Sequence, residues 1–343
     1  MHIPWLGILL AFTVTFVLLR FGQPVARRIG WVDHPGPRKC HSSPTPLIGG
    51  LAIYSGYLVG GIFLDNSGTS SEVLLTVATS ILVVGCLDDC LELRPWIRLL
   101  AEFGLALLLT GWGEVLVHDL GNLLGSGIIP LDMWFVPFSM IAFVAVINAV
   151  NMSDGMDGLA AGQSLIAFLA LLFLATRAGR WQEAYWILLA IVVLIPFLLL
   201  NAPLSRDRTA QVFLGDAGSM LLGFALFWFT VTLSQGARAT CSPAVALWLL
   251  AMPLIDLFSS IVRRLLTGHH PFVPDQGHIH HILLRLGYNK QQVFLILLST
   301  SGLFSLLAIT AHFLAVPEAI LFYSFLAVLV GYSWFVSQIM GKA

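Results

Sequence analysis

Five aspartates arrive in three short motifs, each at the end of a hydrophobic run: Asp88 and Asp89 in LVVGCLDDCLELRP, Asp154 and Asp157 in NMSDGMDG, and Asp216 in VFLGDAGS. Carboxylates so close to hydrocarbon are costly and mark functional positions by default. Oxygen donors of this kind suit Mg²⁺, a hard ion usually held by one or two carboxylates together with substrate phosphates. The set points to a metal-dependent site for a phosphorylated substrate.

Each motif carries further chemistry. Asp216 follows Gly215, where backbone can approach closely, and Phe213 lies three residues before it, near enough to stack on a base. Asp88 and Asp89 are neighbours, so on a helix end they point about 100° apart. One can hold a ligand while the other handles a proton or the metal; the plainer alternative is a helix cap, or a pairing with Arg94 and Arg98. Asn148, Asn151, Asp154 and Asp157 recur every three residues, an interval that lines one helix face with amides and carboxylates suited to a sugar, a uracil edge or a metal. An Asx-rich turn without a ligand would look similar.

In HHPFVPDQGHIHH, His278 and His281 can share a helix face, whereas His278, His280 and His281 cannot all do so. Zinc is disfavoured, since the other candidate donors are oxygens and no cysteine is near. Histidines facing a pyrophosphate fit better. Arg263, Arg264 and Arg285 flank the segment and either assist it or serve only membrane topology. Arg38, Lys39 and His41 precede a Pro-rich helix entry and suit an anionic headgroup, though attraction to anionic lipid explains them equally.

These motifs need helices to position them. The chain is 58% hydrophobic and only 10% charged, with a mean hydropathy of +0.89 over 343 residues, outside the composition of soluble domains. A span takes about 20 apolar residues, and eleven candidate segments emerge: 3–20, 47–64, 72–87, 98–116, 131–150, 158–176, 184–201, 217–235, 243–262, 292–313 and 317–338. The expected fold is an all-α polytopic bundle of about 11 transmembrane helices forming a single integral-membrane domain, 1–343, without internal repeats. The first segment reads as a retained helix rather than a cleaved signal peptide. The four cysteines lack CxxC spacing, which argues against a disulfide framework or a zinc site.

Of 17 Lys and Arg, only Arg177, Arg180 and Arg238 fall in one alternate set of loops. The other set is therefore expected in the cytoplasm, with the N-terminus outside and the C-terminus inside. All five acids then face the side where nucleotides are available. A cation-coupled secondary transporter is the alternative, but such proteins carry their acids near the bilayer midplane on broken helices, often within inverted repeats.

Taken in order, TPLIGG, DDxxxLRP, NxxNxxDGxDGL with FLGDxGS, and PFxPDxxHxHH resemble the polyprenyl-phosphate N-acetylhexosamine-1-phosphate transferases, over about residues 27 to 290. The PFVPDQGHIHH form looks like the undecaprenyl-phosphate N-acetylglucosamine-1-phosphate branch, since the muramoyl-pentapeptide branch carries three consecutive histidines. The resemblance implies Mg²⁺-dependent (or Mn²⁺-dependent) transfer of a sugar-1-phosphate from a UDP-sugar to undecaprenyl phosphate. UMP would be released, and the product would initiate a cell-envelope polysaccharide such as O-antigen, common antigen or a teichoic-type polymer. The implied setting is the bacterial inner membrane, with no nucleic-acid partner and a homodimer as the usual state.

By the same resemblance Asp216 looks like the metal ligand, and Asp88 like the group that deprotonates or positions the lipid phosphate, with Asp89 beside it as a further candidate metal ligand. Phe213 looks like the residue stacking on uracil. Asn151, Asp154 and Asp157 look like nucleotide-site residues, with Asn148 added by its spacing, and His278, His280 and His281 like contacts to sugar and pyrophosphate. Many relatives have a basic residue where this chain has Gln276, and muramoyl-type members a lysine where it has Ser43. Arg38, Lys39 or Arg263 are the expected substitutes.

Overall fold

The computed structural model describes residues 4–35, 43–64, 69–113, 115–205, 209–268 and 277–340. Among them run thirteen α-helices: α1 (Trp5–Ile29), α2 (Gly49–Gly61), α3 (Thr69–Leu91), α4 (Pro95–Trp112), α5 (Phe135–Ser153), α6 (Leu159–Arg177), α7 (Trp181–Asn201), α8 (Gly215–Ser234), α9 (Pro243–Leu249), α10 (Ala251–Leu266), α11 (Ile279–Arg285), α12 (Lys290–Phe313) and α13 (Glu318–Met340). The all-helical expectation holds apart from a two-stranded antiparallel ribbon, β1 (Val32–Asp33) with β2 (Thr45–Pro46), pairing Val32 with Pro46 and Asp33 with Thr45.

Each of the eleven anticipated segments coincides with helix, but among the described residues eight helices are long and apolar enough to cross a membrane: α1, α3, α5, α6, α7, α8, α12 and α13. A ninth candidate is α9 with α10, which bend by 83° at their junction. Pro253 accounts for the break, because it has no N–H to offer the carbonyl of Leu249 four residues earlier. The glycine-flanked α2 has 13 residues, about 20 Å of helix, short of the roughly 30 Å hydrocarbon core. The 18-residue α4 carries Arg98 and Glu102 within a minimal length. Polytopic helical architecture stands, with eight helices, or nine counting the bent pair, meeting the length and hydropathy requirement among the described residues.

The centre of the bundle is α8, nearly all of whose side chains are buried. It packs against α2, α3, α5 and α6. Small residues bring the backbones close: a Cβ on Gly85 of α3 would lie 2.3 Å from the Cα of Ala217, and one on Gly223 of α8 would lie 2.6 Å from the Cα of Ile147. Between α5 and α8, Phe143 meets Phe224 and Phe227 edge-on. At the periphery α12 and α13 leave Leu306, Val330 and Trp334 exposed, as lipid-facing helices do. The packing gathers the C-terminal ends of α3, α5 and α7 with the N-terminal ends of α4, α6, α8 and α12 at one end of the bundle, where the polar contacts below join them.

Candidate active site

At that end lies a cavity of about 600 Å³, in the range of small-molecule pockets. It is lined by Asp88, Asp89, Asn151, Asp154, Asp157, Phe213, Asp216 and His281, so three distant motifs and one of the three expected histidines converge as anticipated. Asp33, Glu92, Arg98, Asn201 and Lys290 line it as well.

The junction of α3 with α8 is the most tightly specified part. Asp89 accepts the backbone N–H of Asp216 at 2.7 Å and that of Ala217 at 3.2 Å, one on each carboxylate oxygen. These are among the N–H groups a helix start leaves unpaired, and a carboxylate there also answers the helix dipole. Gly215 is obligatory: its φ is +74°, and a Cβ would fall 2.6 Å from an Asp89 oxygen. Asp216 thus projects from the first turn of α8, with Asn151 Nδ2 donating to its Oδ1 and, at 2.9 Å, to Ser219 Oγ.

Asp88 is only 5% exposed. It accepts the N–H of Leu93 at 2.9 Å and pairs with Arg98 at 3.2 Å. Glu92 adopts a left-handed φ of +47° that ends α3 and turns Leu93 back toward Asp88. Arg98 also lies 3.8 Å from Glu102 and 3.9 Å from Asp216. One guanidinium therefore stands among three carboxylates from α3, α4 and α8, and its Nε makes no hydrogen bond. The pairing weighed for Asp88 from sequence is with Arg98.

Other elements close the walls. Asn201, at the end of α7, accepts from Gly158 N–H and donates to the carbonyl of Val212 at 2.7 Å, tying the 154–158 turn to the segment before α8. Phe213 is held by backbone bonds to Pro46 and Gly49, at 2.8 and 3.0 Å, so TPLIGG braces VFLGD. Lys290, at the start of α12, pairs with Asp157 at 3.0 Å.

Several expectations need correction. Asn148 does not line the cavity; one turn deeper than Asn151, it donates to the buried Glu102 and to the carbonyl of Val144. Arg263 is directed to the carbonyl of Gly277 at 3.1 Å and to Ser260, so it braces the chain ahead of the histidines instead of lining the wall. His278 and His280 also lie off the cavity: His278 precedes α11 and turns to Asp256, and His280 is buried, leaving His281 alone of the three on the lining. Arg38, Lys39 and Gln276 lie outside the described residues.

Surroundings set the acidity of Asp154 and His280. Asp154, in the turn after α5, is raised well above the ordinary carboxylate range, by withdrawal from water first and by Asp216 and Asp89 next. His280, 1% exposed, is pushed down to about 3, chiefly by burial and then by His281. Because the unfolded chain binds a proton at His280 near pH 6.5 and the folded chain does not until about 3, stability conferred by the neutral ring is present above pH 6.5 and falls as pH drops through that window. Each pH unit there costs at most about 1.4 kcal/mol. Thermal unfolding at pH 7.5 and 5.0 is expected to show this acid loss in the wild type and a smaller one in His280→Gln; equal losses would refute it.

Six carboxylates, from Asp33, Asp88, Asp89, Glu92, Asp157 and Asp216, together with the carboxyl group of Asp154, face two permanent cations, Arg98 and Lys290, around the cavity. A polyphosphate cannot enter such a field without added positive charge, and the donors are hard oxygens, so the chemistry of the lining fits a divalent cation. Among the described residues no three His, Cys, Asp or Glu side chains form a ready-made metal cage. Mg²⁺ does not ask for one, since it is typically shared between one or two carboxylates and substrate phosphates.

The family model for glycosyl transferase family 4 matches residues 72–234. Three curated relatives bear the name undecaprenyl-phosphate alpha-N-acetylglucosaminyl 1-phosphate transferase. The protein from Escherichia coli strain K12 is 32% identical over 330 residues, covering 95% of this chain and 89% of its own. That from Yersinia pestis is 32% identical over 332 residues, covering 95% and 90%. That from Pasteurella multocida strain Pm70 is 32% identical over 333 residues, covering 97% and 93%.

Proposed function

The chain belongs to glycosyl transferase family 4, and we propose that it transfers N-acetylglucosamine 1-phosphate from UDP-N-acetylglucosamine to undecaprenyl phosphate. An oxygen of the lipid phosphate attacks the sugar-bearing phosphorus, the bond to the other phosphate breaks, and UMP leaves. The product is the pyrophosphate-linked lipid sugar that starts a cell-envelope polysaccharide. The observation that carries this is the single cavity in which Asp88, Asn151, Asp157, Phe213 and Asp216, contributed by separate membrane-length helices and their connecting segments, line a space of substrate size.

Phosphoryl transfer asks mainly for alignment and charge neutralisation. Bound Mg²⁺ would supply the second by drawing charge from the phosphate oxygens, and Asp216 is the residue assigned to hold it. Asp89, with both oxygens taken by α8 amides, is assigned instead to aiming Asp216. Asp88 and Arg98 receive the lipid phosphate: the carboxylate accepts its proton where one is present, and the partly exposed guanidinium offers its charge to an oxygen. Phe213 stacks on uracil, Asn151, Asp154 and Asp157 bind the nucleotide moiety, and His281 meets the pyrophosphate. The cavity is assigned to the cytoplasmic face of a bacterial inner membrane, supported by the loop distribution of Lys and Arg. The transporter alternative finds no support in acids gathered at one end of the helices.

Purified protein given labelled UDP-N-acetylglucosamine, undecaprenyl phosphate and Mg²⁺ is expected to yield labelled lipid and stoichiometric UMP. UMP formed without the lipid acceptor would indicate a hydrolase and defeat the proposal. Chelation with EDTA is expected to abolish turnover and excess Mg²⁺ to restore it; full activity in EDTA would remove the metal from the scheme.

A further inference from the structure

Asp256 lies in α10, off the cavity and only 5% exposed. Its Oδ2 is 2.8 Å from His278 Nδ1. Its Oδ1 accepts the N–H of Ile279, the first residue of α11, at 3.3 Å and the hydroxyl of Tyr332 from α13. Ser260 Oγ is a more distant neighbour of the same ring nitrogen, at 3.5 Å. Two groups that can only donate to a carboxylate, a backbone amide and a phenol, already converge on Asp256. They favour its ionised form, so Nδ1 of His278 carries the hydrogen and its tautomer is fixed.

From His278 a column of rings leads to the cavity. The His278 and His280 rings are nearly parallel, with centroids 6.0 Å apart, and His280 is 4.2 Å from His281, which lines the cavity. The Nε2 side of the His280 ring abuts the 154–158 turn: a Cβ on Gly155 would sit 2.3 Å from its Nε2. That nitrogen is buried without a hydrogen-bond partner. The turn beneath it carries Asp154 and Asp157. Where His278 sits therefore determines both where His281 points and how the turn is pressed into place.

We propose that Asp256, secured by Tyr332, is a positioning residue of the transferase: it locks the tautomer and place of His278 and so seats His280 on Gly155 and aims His281 into the cavity. The proposal rests on the transferase function above. It assigns a role to α10 and to the last helix, neither of which supplies a residue to the cavity wall.

The test uses full-length protein in nanodiscs, labelled with ¹⁵N-histidine and compared with Asp256→Asn and Tyr332→Phe. Wild type is expected to show a His278 signal, identified by its loss in His278→Gln, protonated at Nδ1 and hydrogen-bonded to carboxylate. Asp256→Asn is expected to lose that signature and to lower kcat about 10- to 100-fold, the scale on which a small misplacement of site groups slows a reaction, with KM for both substrates within about threefold. Tyr332→Phe keeps the carboxylate–imidazole pair and is expected to lose less than about fivefold in kcat. Wild-type His278 protonated only at Nε2 would overturn the proposal without any variant, should Asp256→Asn fail to fold. Wild-type kcat in a folded Asp256→Asn would overturn it equally. Absence of lipid-linked sugar from the wild type would instead strike the transferase function, since the tautomer measurement does not depend on turnover.

Discussion

Asp216→Ala is expected to lower the rate of lipid-linked sugar formation by at least ~10²-fold, the usual scale for a preorganised electrostatic group. Asp216 is the acid whose position the surrounding structure specifies most heavily. Asp89 pins the amides of the turn that carries it, Gly215 clears the space that pinning requires, and Asn151 fixes one carboxylate oxygen. About a third of the side chain stays open to the cavity. So many contacts around an open carboxylate are costly unless the charge has a task. Asp216→Asn retains the shape and one oxygen but not the charge, and should lose nearly as much. Asp89→Asn should also fall in activity, but with a lowered melting temperature, because its amide cannot accept both α8 N–H groups. Asp216→Ala within threefold of wild-type turnover would dismiss this residue as the metal ligand.

How far this arrangement can be read from the chain alone differs by element. The five aspartates are visible because charge at the edge of an apolar run is conspicuous, and all five reach the cavity. Phe213 is visible from its spacing to Asp216. Asn148 misleads because a three-residue interval drifts around a 3.6-residue helix, so its side chain faces Glu102 inside the bundle. Lys290 and Asn201 are hidden for another reason: each is a lone polar residue at a helix end, indistinguishable in sequence from a topology charge or a cap. Asp33 is hidden in a ribbon too short to give an alternating pattern. The histidines carry too little information about direction, because their roles depend on Asp256, 22 residues away in sequence and 2.8 Å away in space. Helix ends are hidden too, because hydropathy does not register where a helix stops: the apolar run 47–64 contains a helix of only 13 residues, bounded by glycines.

Arg98→Met is expected to be the most destabilising substitution at the site, at about 3–5 kcal/mol, the cost of leaving a buried carboxylate without its partner. Glu102 is 1% exposed and Asp88 is 5% exposed, and Arg98 is the cation beside both. Asn148 gives Glu102 one hydrogen bond, but its other oxygen has none. A drop of several degrees or more in melting temperature should follow in a detergent or nanodisc preparation. Activity should fall as well, since the same guanidinium is the cation available to an incoming phosphate between Asp88 and Asp216. The two contributions separate in a double mutant. Adding Glu102→Gln to Arg98→Met removes a stranded charge and should recover part of the lost stability, while turnover stays at the level of the single mutant. If turnover recovers together with stability, Arg98 serves only to neutralise its neighbours. If Arg98→Met melts like wild type, the carboxylates around it are held by water or by protonation, and the guanidinium is not their counter-charge. The first of these outcomes would return the reception of the lipid phosphate to Asp88 alone; the second would take from Arg98 its part in holding α3, α4 and α8 together.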